Sequence, residues 1–160
     1  METSRSKISA RDALEDFRSQ KIFAVVGATP KKEKFGHWVF ESLRRGQQLV
    51  VPVNPHYPSV DGMKCYASLR DLPARPGVVF IVVDPRQAMT VLQDCLETGV
   101  RRVFFQQGAE SKQAIEFCDA HGITALYGSC AIQYFAPHGY HRLHTWLGNL
   151  LFMKPKLNSP

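Results

Sequence analysis

The chain alternates between short apolar runs and stretches in which apolar residues recur every three or four positions. Five runs have the length and composition of buried strands: residues 21–26, 48–53, 78–83, 100–105 and 123–127. Continuous apolar runs of this kind are typical of parallel strands that are covered on both faces. Helical spacing fills the intervals, over residues 35–45, 85–98 and 110–121. The pattern therefore predicts an α/β protein.

Strands that alternate with helices predict a doubly wound, Rossmann-like sheet of five parallel strands with helices on both faces. For this sheet we expect the strand order 3-2-1-4-5. Ligands on such sheets bind at the carboxyl ends of the strands, near the point where the order reverses. Candidate functional residues are therefore sought in the segments that directly follow the strands.

Two amphipathic segments flank this unit, which we expect to form one domain with its core at residues 21–135. Ser9 can cap a helix over residues 9–19. A second helix is expected over residues 138–152, and it carries an H-x-x-H-x-x-H pattern at 138–144. Because no acidic residue or cysteine follows to complete a zinc site, we predict no metal. We expect this helix to pack on the sheet or on a partner chain, such as a second copy.

Composition excludes several classes of protein. The chain has 160 residues, 44% of them hydrophobic, and no apolar run approaches the ~20 residues that span a bilayer. Acidic residues within the first twenty positions argue against a secretory or transit peptide. The four cysteines lie too far apart for a zinc cluster or a disulfide scaffold. We therefore expect reduced thiols and a cytoplasmic protein.

The loop after the first strand, residues 27–36 (GATPKKEKFG), predicts an anion site. Residues 21–60 carry a net charge of +4. Gly27 would let the backbone approach a phosphate, the next helix begins with unpaired N–H groups, and Thr29 and Lys34 add a hydroxyl and a charge. A plain turn with its lysines in solvent is the alternative.

Two nucleotide-binding modes are not expected from these residues. Neither the G-x-G-x-x-G fingerprint nor a P-loop is present, and the second strand ends at Asn54 with no acid for a ribose. NAD and ATP in their usual modes are therefore not predicted. The net positive charge also suggests nucleic-acid binding, but the sequence contains no nucleic-acid recognition motif.

Several stretches together resemble the small stand-alone CoA-binding proteins of bacteria, a Rossmann-like family related to the CoA-binding domain of succinyl-CoA synthetase and of ADP-forming acyl-CoA synthetases. The matching stretches, in the family's order, are residues 25–29 (VVGAT), 51–55 (VPVNP), 62–73 (GMKCYASLRDLP), 82–85 (VVDP), 104–111 (FFQQGAES) and Cys130. They cover residues 21–135. Thr29 stands where the family more often has serine, and Phe104 where tryptophan is common.

This resemblance implies that coenzyme A lies across the carboxyl edge of the sheet. The phosphates would be held by Gly27, Ala28, Thr29 and Lys34. The adenine and ribose would lie beside Val53, Asn54 and Pro55, and the middle of the ligand beside Val82, Val83 and Asp84. The pantetheine arm would follow Gln106, Gln107 and Gly108. Further cofactor-binding residues are expected at Phe35, Tyr66, Arg86 and Cys130.

No catalytic residue is predicted. Asp84 is expected to cap the helix that begins at Pro85, and Cys130 is expected to be a small packing residue, although it could also meet the CoA thiol. We do not expect the second, phosphohistidine-bearing domain of the synthetases in a chain of this length. The predicted function is therefore a non-catalytic sensor, carrier or regulatory module that binds CoA or a short acyl-CoA. The alternative is an enzyme in the same cleft, either an NAD(P)-dependent oxidoreductase or a CoA-linked transferase.

Overall fold

The computed structural model describes residues 8–136 and 154–158, and in them it forms one six-stranded sheet and one small hairpin. The strands are β1 Ile22–Val26, β2 Leu49–Val53, β3 Ser59–Val60, β4 Met63–Lys64, β5 Val78–Ile81, β6 Arg102–Gln106, β7 Thr124–Ser129 and β8 Lys156–Leu157. The large sheet has the order β2-β1-β5-β6-β7-β8. Its first five strands are parallel, and β8 runs antiparallel to β7.

The described residues also form five helices and one 3-10 turn. They are α1 Ala10–Ser19, α2 Phe35–Arg44, the 3-10 turn Leu69–Asp71, α3 Pro85–Thr98, α4 Lys112–Ala120 and α5 Ala131–Phe135. Local chemistry sets several boundaries. Ser9 caps α1 in a reciprocal capping box with Asp12. Pro85 occupies the first turn of α3, and Gly99 ends that helix in the left-handed conformation.

Side chains on alternate positions of the strands build two cores, one on each face of the sheet. The first face packs against α1, α2 and α5 and is rich in phenylalanine, with Phe23, Phe80 and Phe135 in mutual edge-to-face contact. The second face packs against α3 and α4 and is mainly aliphatic. The predicted α/β class, with helices on both faces, is confirmed.

The predicted strand order 3-2-1-4-5 is wrong. β1 pairs with both β2 and β5, so the five parallel strands stand in the order 2-1-3-4-5, and β2 lies at the edge. Pro52 explains this position, because proline has no N–H and is confined to edge strands. Its nitrogen faces away from β1, on the side where its carbonyl accepts a hydrogen bond from Tyr66 N–H at 3.1 Å.

The connection from β2 to β5 holds a hairpin that the sequence analysis missed. Val60 pairs with Met63 across a two-residue turn, Asp61-Gly62, and both turn residues have positive φ angles of 47° and 78°. Asp-Gly is a strong signal for this kind of tight turn. The 3-10 turn Leu69–Asp71 follows the hairpin, and Ser68 caps it. The predicted helix over residues 138–152, with its histidines, lies outside the described residues.

Candidate binding site at the carboxyl edge of the sheet

A crevice opens at the carboxyl ends of β1, β2 and β5, beside α3. Its volume is about 470 Å³. β2 and β5 lie on opposite sides of β1, so the crevice lies where the chain reverses its direction of travel across the sheet. The lining residues are Val26, Gly27, Val53, Asn54, Pro55, His56, Ala67, Ser68, Leu69, Val83, Arg86, Gln87, Thr90, Val91 and Asp94.

The crevice brings together part of the predicted set of site residues. Six of the predicted residues line it: Gly27, Val53, Asn54, Pro55, Val83 and Arg86. The others flank the crevice or follow neighbouring strands. Of the wall that α3 contributes, the sequence analysis predicted Arg86 and missed Gln87, Thr90, Val91 and Asp94. Arg86, Thr90 and Asp94 are spaced four residues apart, so helical periodicity places them on one face of α3.

Gly27 forms the floor of the crevice with bare backbone. Its φ angle is +99°, and its N–H donates to the carbonyl of Val53 at 2.9 Å. A Cβ at this position would lie 2.3 Å from the carbonyl oxygen of Val82, and a Cβ on Gly36 would lie 2.0 Å from the carbonyl oxygen of Gly27. The two glycines therefore allow the loop after β1 to pass between β5 and the start of α2.

The loop after β1 is held by its own polar groups. Thr29 is buried, and its hydroxyl accepts a hydrogen bond from Lys31 N–H at 3.2 Å. The buried His37 ring places Nδ1 3.2 Å from the Thr29 carbonyl oxygen and 3.3 Å from a carboxylate oxygen of Asp61. Since both neighbours are acceptors, Nδ1 carries the proton. His37 thus joins this loop to the β3–β4 turn, a role with no signal in the sequence pattern.

Basic residues surround the start of α2. Lys34 occupies the N-cap position, and no side chain there bonds to the first N–H groups of the helix. Lys31, Lys32, Lys34 and Phe35 are exposed. A helix start with free N–H groups and nearby lysines favours an anion. These lysines lie outside the crevice lining, next to Gly27 along the chain.

Asn54 and Tyr66 act as scaffold for the crevice. The Asn54 side-chain amide donates to the carbonyl of Ala28 at 2.9 Å, and its oxygen accepts from His56 N–H at 3.0 Å. The Asn54 backbone N–H donates to the Tyr66 carbonyl at 2.8 Å. Tyr66 itself lines a separate groove along β2, with the Lys64 ammonium 4.9 Å from its ring centre.

Two carboxylates at the crevice are each bound by an arginine. Asp84 caps α3 by accepting from Arg86 N–H at 2.9 Å, and the Arg86 guanidinium lies 3.0 Å from the same carboxylate. These hydrogen bonds from Arg86 lower the pKa of the Asp84 carboxyl below its ordinary value. Asp94 lies 2.9 Å from Arg70. The predicted capping role of Asp84 is confirmed.

The ends of β6 and β7 lie further along the same edge. Gln106 is buried, and its side-chain oxygen accepts from Ala131 N–H at 3.1 Å, so it holds the start of α5. Gln107 and Gly108 are exposed, whereas Cys130 is half-buried at the N-cap of α5.

The other three cysteines are buried. Burial raises the pKa of the Cys118 thiol to about 12 and raises the pKa values of Cys65 and Cys95.

Two kinds of feature are absent from residues 8–136 and 154–158. No group of three or more histidine, cysteine or acidic side chains is placed to hold a metal ion. No helix in this part of the chain is long and apolar enough to cross a membrane.

Comparison with protein families matches residues 21–135 to a model described as a CoA binding domain. The alpha subunit of an ADP-forming acetate–CoA ligase (form II) from Pyrococcus furiosus is 30% identical over 128 residues, which are 73% of this chain and 28% of the subunit. An uncharacterised Bacillus subtilis protein, YneT, is 26% identical over 78% of this chain and 90% of its own length. The chain thus spans well under two thirds of the ligase subunit.

Solved structures of small archaeal proteins share this fold. A hypothetical protein from Pyrococcus horikoshii OT3 superimposes with a TM-score of 0.75 at 31% identity, over 79% of this chain and 89% of that one. A conserved hypothetical protein from Pyrococcus furiosus superimposes with a TM-score of 0.68 at 34% identity, over 71% of this chain and 97% of that one.

Proposed function

The chain belongs to the CoA-binding domain family, and on that premise we propose that it binds coenzyme A or a short acyl-CoA at the carboxyl edge of its sheet, as a non-catalytic sensor, carrier or regulatory module. The observation that carries this proposal is the crevice of about 470 Å³ above the bare Gly27 backbone. Its volume falls in the range of about 300–1,000 Å³ that is usual for small-molecule sites.

The diphosphate of CoA fits the loop after β1. At Gly27 the missing side chain leaves room for the carbonyl of Val82, so the loop turns tightly beside the crevice. A diphosphate next to this turn would meet the uncapped start of α2 and the exposed Lys31 and Lys34. Charge-assisted hydrogen bonds from lysine and from backbone N–H groups are the interactions that phosphates favour.

The adenine end of the ligand fits the crevice itself. Its walls include the apolar side chains of Val53, Leu69 and Val91, which can cover a flat base. Arg86 and His56 stand at the same crevice and can reach a phosphate on the ribose. In this arrangement Asn54 contributes by fixing the crevice wall, since both ends of its amide are already hydrogen-bonded.

The pantetheine arm would then run along the ends of β6 and β7, over the exposed Gln107 and Gly108 towards Cys130. This direction follows from the order of the strands, because β5, β6 and β7 are successive neighbours beyond β1. Gln106 would act indirectly, since its buried side chain holds the start of α5.

The state of the carboxylates supports a binding role over a catalytic one. Asp84 serves as a helix cap and is bound to Arg86, and the pKa of its carboxyl is lowered. Asp94 is bound to Arg70. A carboxylate whose pKa is lowered, as that of Asp84 is, makes a poor proton donor at neutral pH.

Isothermal titration with CoA, acetyl-CoA, NAD⁺ and NADPH tests the proposal. We expect heat from CoA or acetyl-CoA only. Lys34→Ala should weaken binding about three- to tenfold, because an exposed charge contact is lost. Lys112→Ala, which removes an exposed lysine from α4, is the matched control and should leave affinity unchanged. Heat from NADPH with none from either CoA compound would contradict the proposal and favour a reductase in the same cleft.

A further inference from the structure

A second concave surface lies at the opposite edge of the sheet, where β1, β5 and β6 begin. Its volume is about 460 Å³. We call it the amino-edge groove, and its lining residues are Ser19, Gln20, Lys21, Ile22, Arg75, Pro76, Gly77, Gly99, Arg101 and Arg102. They come from three separate segments of the chain, residues 19–22, 75–77 and 99–102, and none of the ten is acidic.

Most of the positive charge in this groove has no carboxylate partner. Arg102 forms a two-pronged ion pair with Asp16, with nitrogen–oxygen distances of 2.5 and 3.1 Å. Lys21, Arg75 and Arg101 make no ion pair within residues 8–136 and 154–158. Four cations and one carboxylate leave three positive charges on one small surface.

Helix ends offset only part of this charge. The last turns of α1, α3 and α4 all point towards this edge, as helices do when they connect parallel strands. Each helix C-terminus carries about half a negative charge. Three of them supply about one and a half negative charges, so the groove keeps a positive balance of similar size.

The arginines are positioned by neutral groups. The Arg75 guanidinium donates to the carbonyl of Gly99 at 3.5 Å, and a Cβ on Gly99 would lie 3.1 Å from the same nitrogen. Arg101 donates to the carbonyl of His121 at 3.4 Å. Each contact uses one guanidinium nitrogen of a group that carries five N–H donors.

From this groove we infer a second anion-binding site, which takes a small molecule with clustered negative oxygens, as phosphate groups or as carboxylates. Arginine forks match the paired oxygens of both groups. The concave shape and the volume favour a small molecule over a protein surface. The inference does not depend on CoA binding, because the groove and the carboxyl-edge crevice share no lining residue.

Amide NMR spectra of the ¹⁵N-labelled protein test this inference, with pyrophosphate and citrate as probes at about 50 mM salt, where surface charges are only partly screened. We expect saturable shifts at Lys21, Gly77 and Gly99. Shifts with one probe alone would assign the site to phosphates or to carboxylates. The double variant R75Q/R101Q should raise the dissociation constant at least about tenfold.

A matched control removes two exposed charges elsewhere. R11Q/K112Q should keep the dissociation constant within about twofold, since Arg11 and Lys112 are exposed on α1 and α4 and pair with their own helices. Arg75→Lys offers a milder variant if the double variant does not fold. Absence of shifts at the groove, shifts confined to residues 27–36, or equal weakening in the control would overturn the inference.

Discussion

The carboxyl edge and the amino edge of the sheet offer an anion different partners. At the carboxyl edge the crevice has a glycine floor, and Arg86, the one arginine among the described residues that line it, is already bound to Asp84. At the amino edge, Lys21, Arg75 and Arg101 keep their charge without a carboxylate among the described residues. The first edge offers an anion mainly backbone N–H groups and the start of a helix, and the second edge offers it mainly side-chain cations.

This difference shows that the net charge of a sequence segment is a poor guide to the charge of a surface in the folded protein. The basic run near the loop after β1 is obvious in the sequence, yet its lysines lie outside the crevice lining. Residues 61–120 have a net charge of −1, and the same segment supplies Arg75, Arg101 and Arg102 to the amino-edge groove. Because all parallel strands start at the same edge of the sheet, folding brings residues that precede different strands together at that edge.

Two glycine variants, one at each edge of the sheet, distinguish the stability cost of a steric clash from the stability cost of a positive φ angle. Gly27 and Gly122 both have positive φ angles, so alanine at either position should cost about 1–2 kcal/mol. Only Gly27 adds a clash, with the carbonyl of Val82, which should cost about 1–3 kcal/mol more. Urea unfolding of Gly27→Ala and Gly122→Ala measures the difference. Equal losses of stability would contradict the tight packing assigned to the loop after β1.

Removal of one arginine from each edge tests which edge binds CoA. Arg86→Gln should lower CoA affinity about three- to tenfold, because an exposed charge contact at the crevice is lost. Arg101→Gln removes the same charge from the amino edge and should change the affinity less than about twofold. Calorimetric titration of both variants measures this. Equal weakening would indicate a general effect of protein charge.

Thiol labelling distinguishes the carboxyl edge from the core. At pH 8 a thiol with a pKa of about 12 is thiolate in only about one molecule in ten thousand, so Cys118 should not react. Cys65 and Cys95 are buried, and their pKa values are raised as well. Rapid reaction with a disulfide reagent should therefore occur at Cys130 alone. Saturating CoA should slow this reaction.

Two variants control the labelling experiment. Cys130→Ser should abolish the rapid phase, whereas Cys118→Ser should keep it. Peptide mass spectrometry identifies the labelled cysteine. Rapid labelling that persists in Cys130→Ser would show that another thiol is accessible.

The smallest effect concerns the acid titration of Asp84. Hydrogen bonds from Arg86 hold the pKa of this carboxyl below its unfolded value, so they stabilise the fold at pH values above the unfolded pKa. That contribution is lost as the pH falls through the folded pKa. Carbon-detected NMR titration should show the Asp84 pKa rising towards its ordinary value in Arg86→Gln. An unchanged pKa would contradict the role given to this pair.

Hydrophobic patterning predicted the elements well but not their arrangement. The run VVFIVV indicated a buried strand, and Val78–Ile81 is buried on both faces. Strand order does not follow from periodicity, and the order 3-2-1-4-5 placed β2 inside the sheet. Pro52 carried the missing information, since a proline within a strand indicates an edge. The Asp61-Gly62 turn was a second local signal, which indicates a hairpin and was not used in the sequence analysis.

The candidate site was predicted where it consists of strand ends and missed where it consists of tertiary contacts. Gly27 and Asn54 directly follow strands, and Arg86 lies in the first turn of the helix after β5, so the parallel topology alone places them at one edge. Thr90 and Asp94 line the crevice because α3 packs beside it, and His37 matters because a distant turn approaches it. Such relations depend on packing between elements, which a one-dimensional pattern does not contain.

Amide NMR mapping of CoA on the ¹⁵N-labelled protein tests most directly whether the ligand lies at the carboxyl edge. The account predicts saturable shifts at Gly27, Asn54 and Gly108, with the pantetheine end moving Cys130. The amide of Gly122, which lies at the opposite edge of the sheet, should stay unchanged. Saturable binding that leaves Gly27 and Asn54 unmoved, or no binding of CoA at all, would contradict the account.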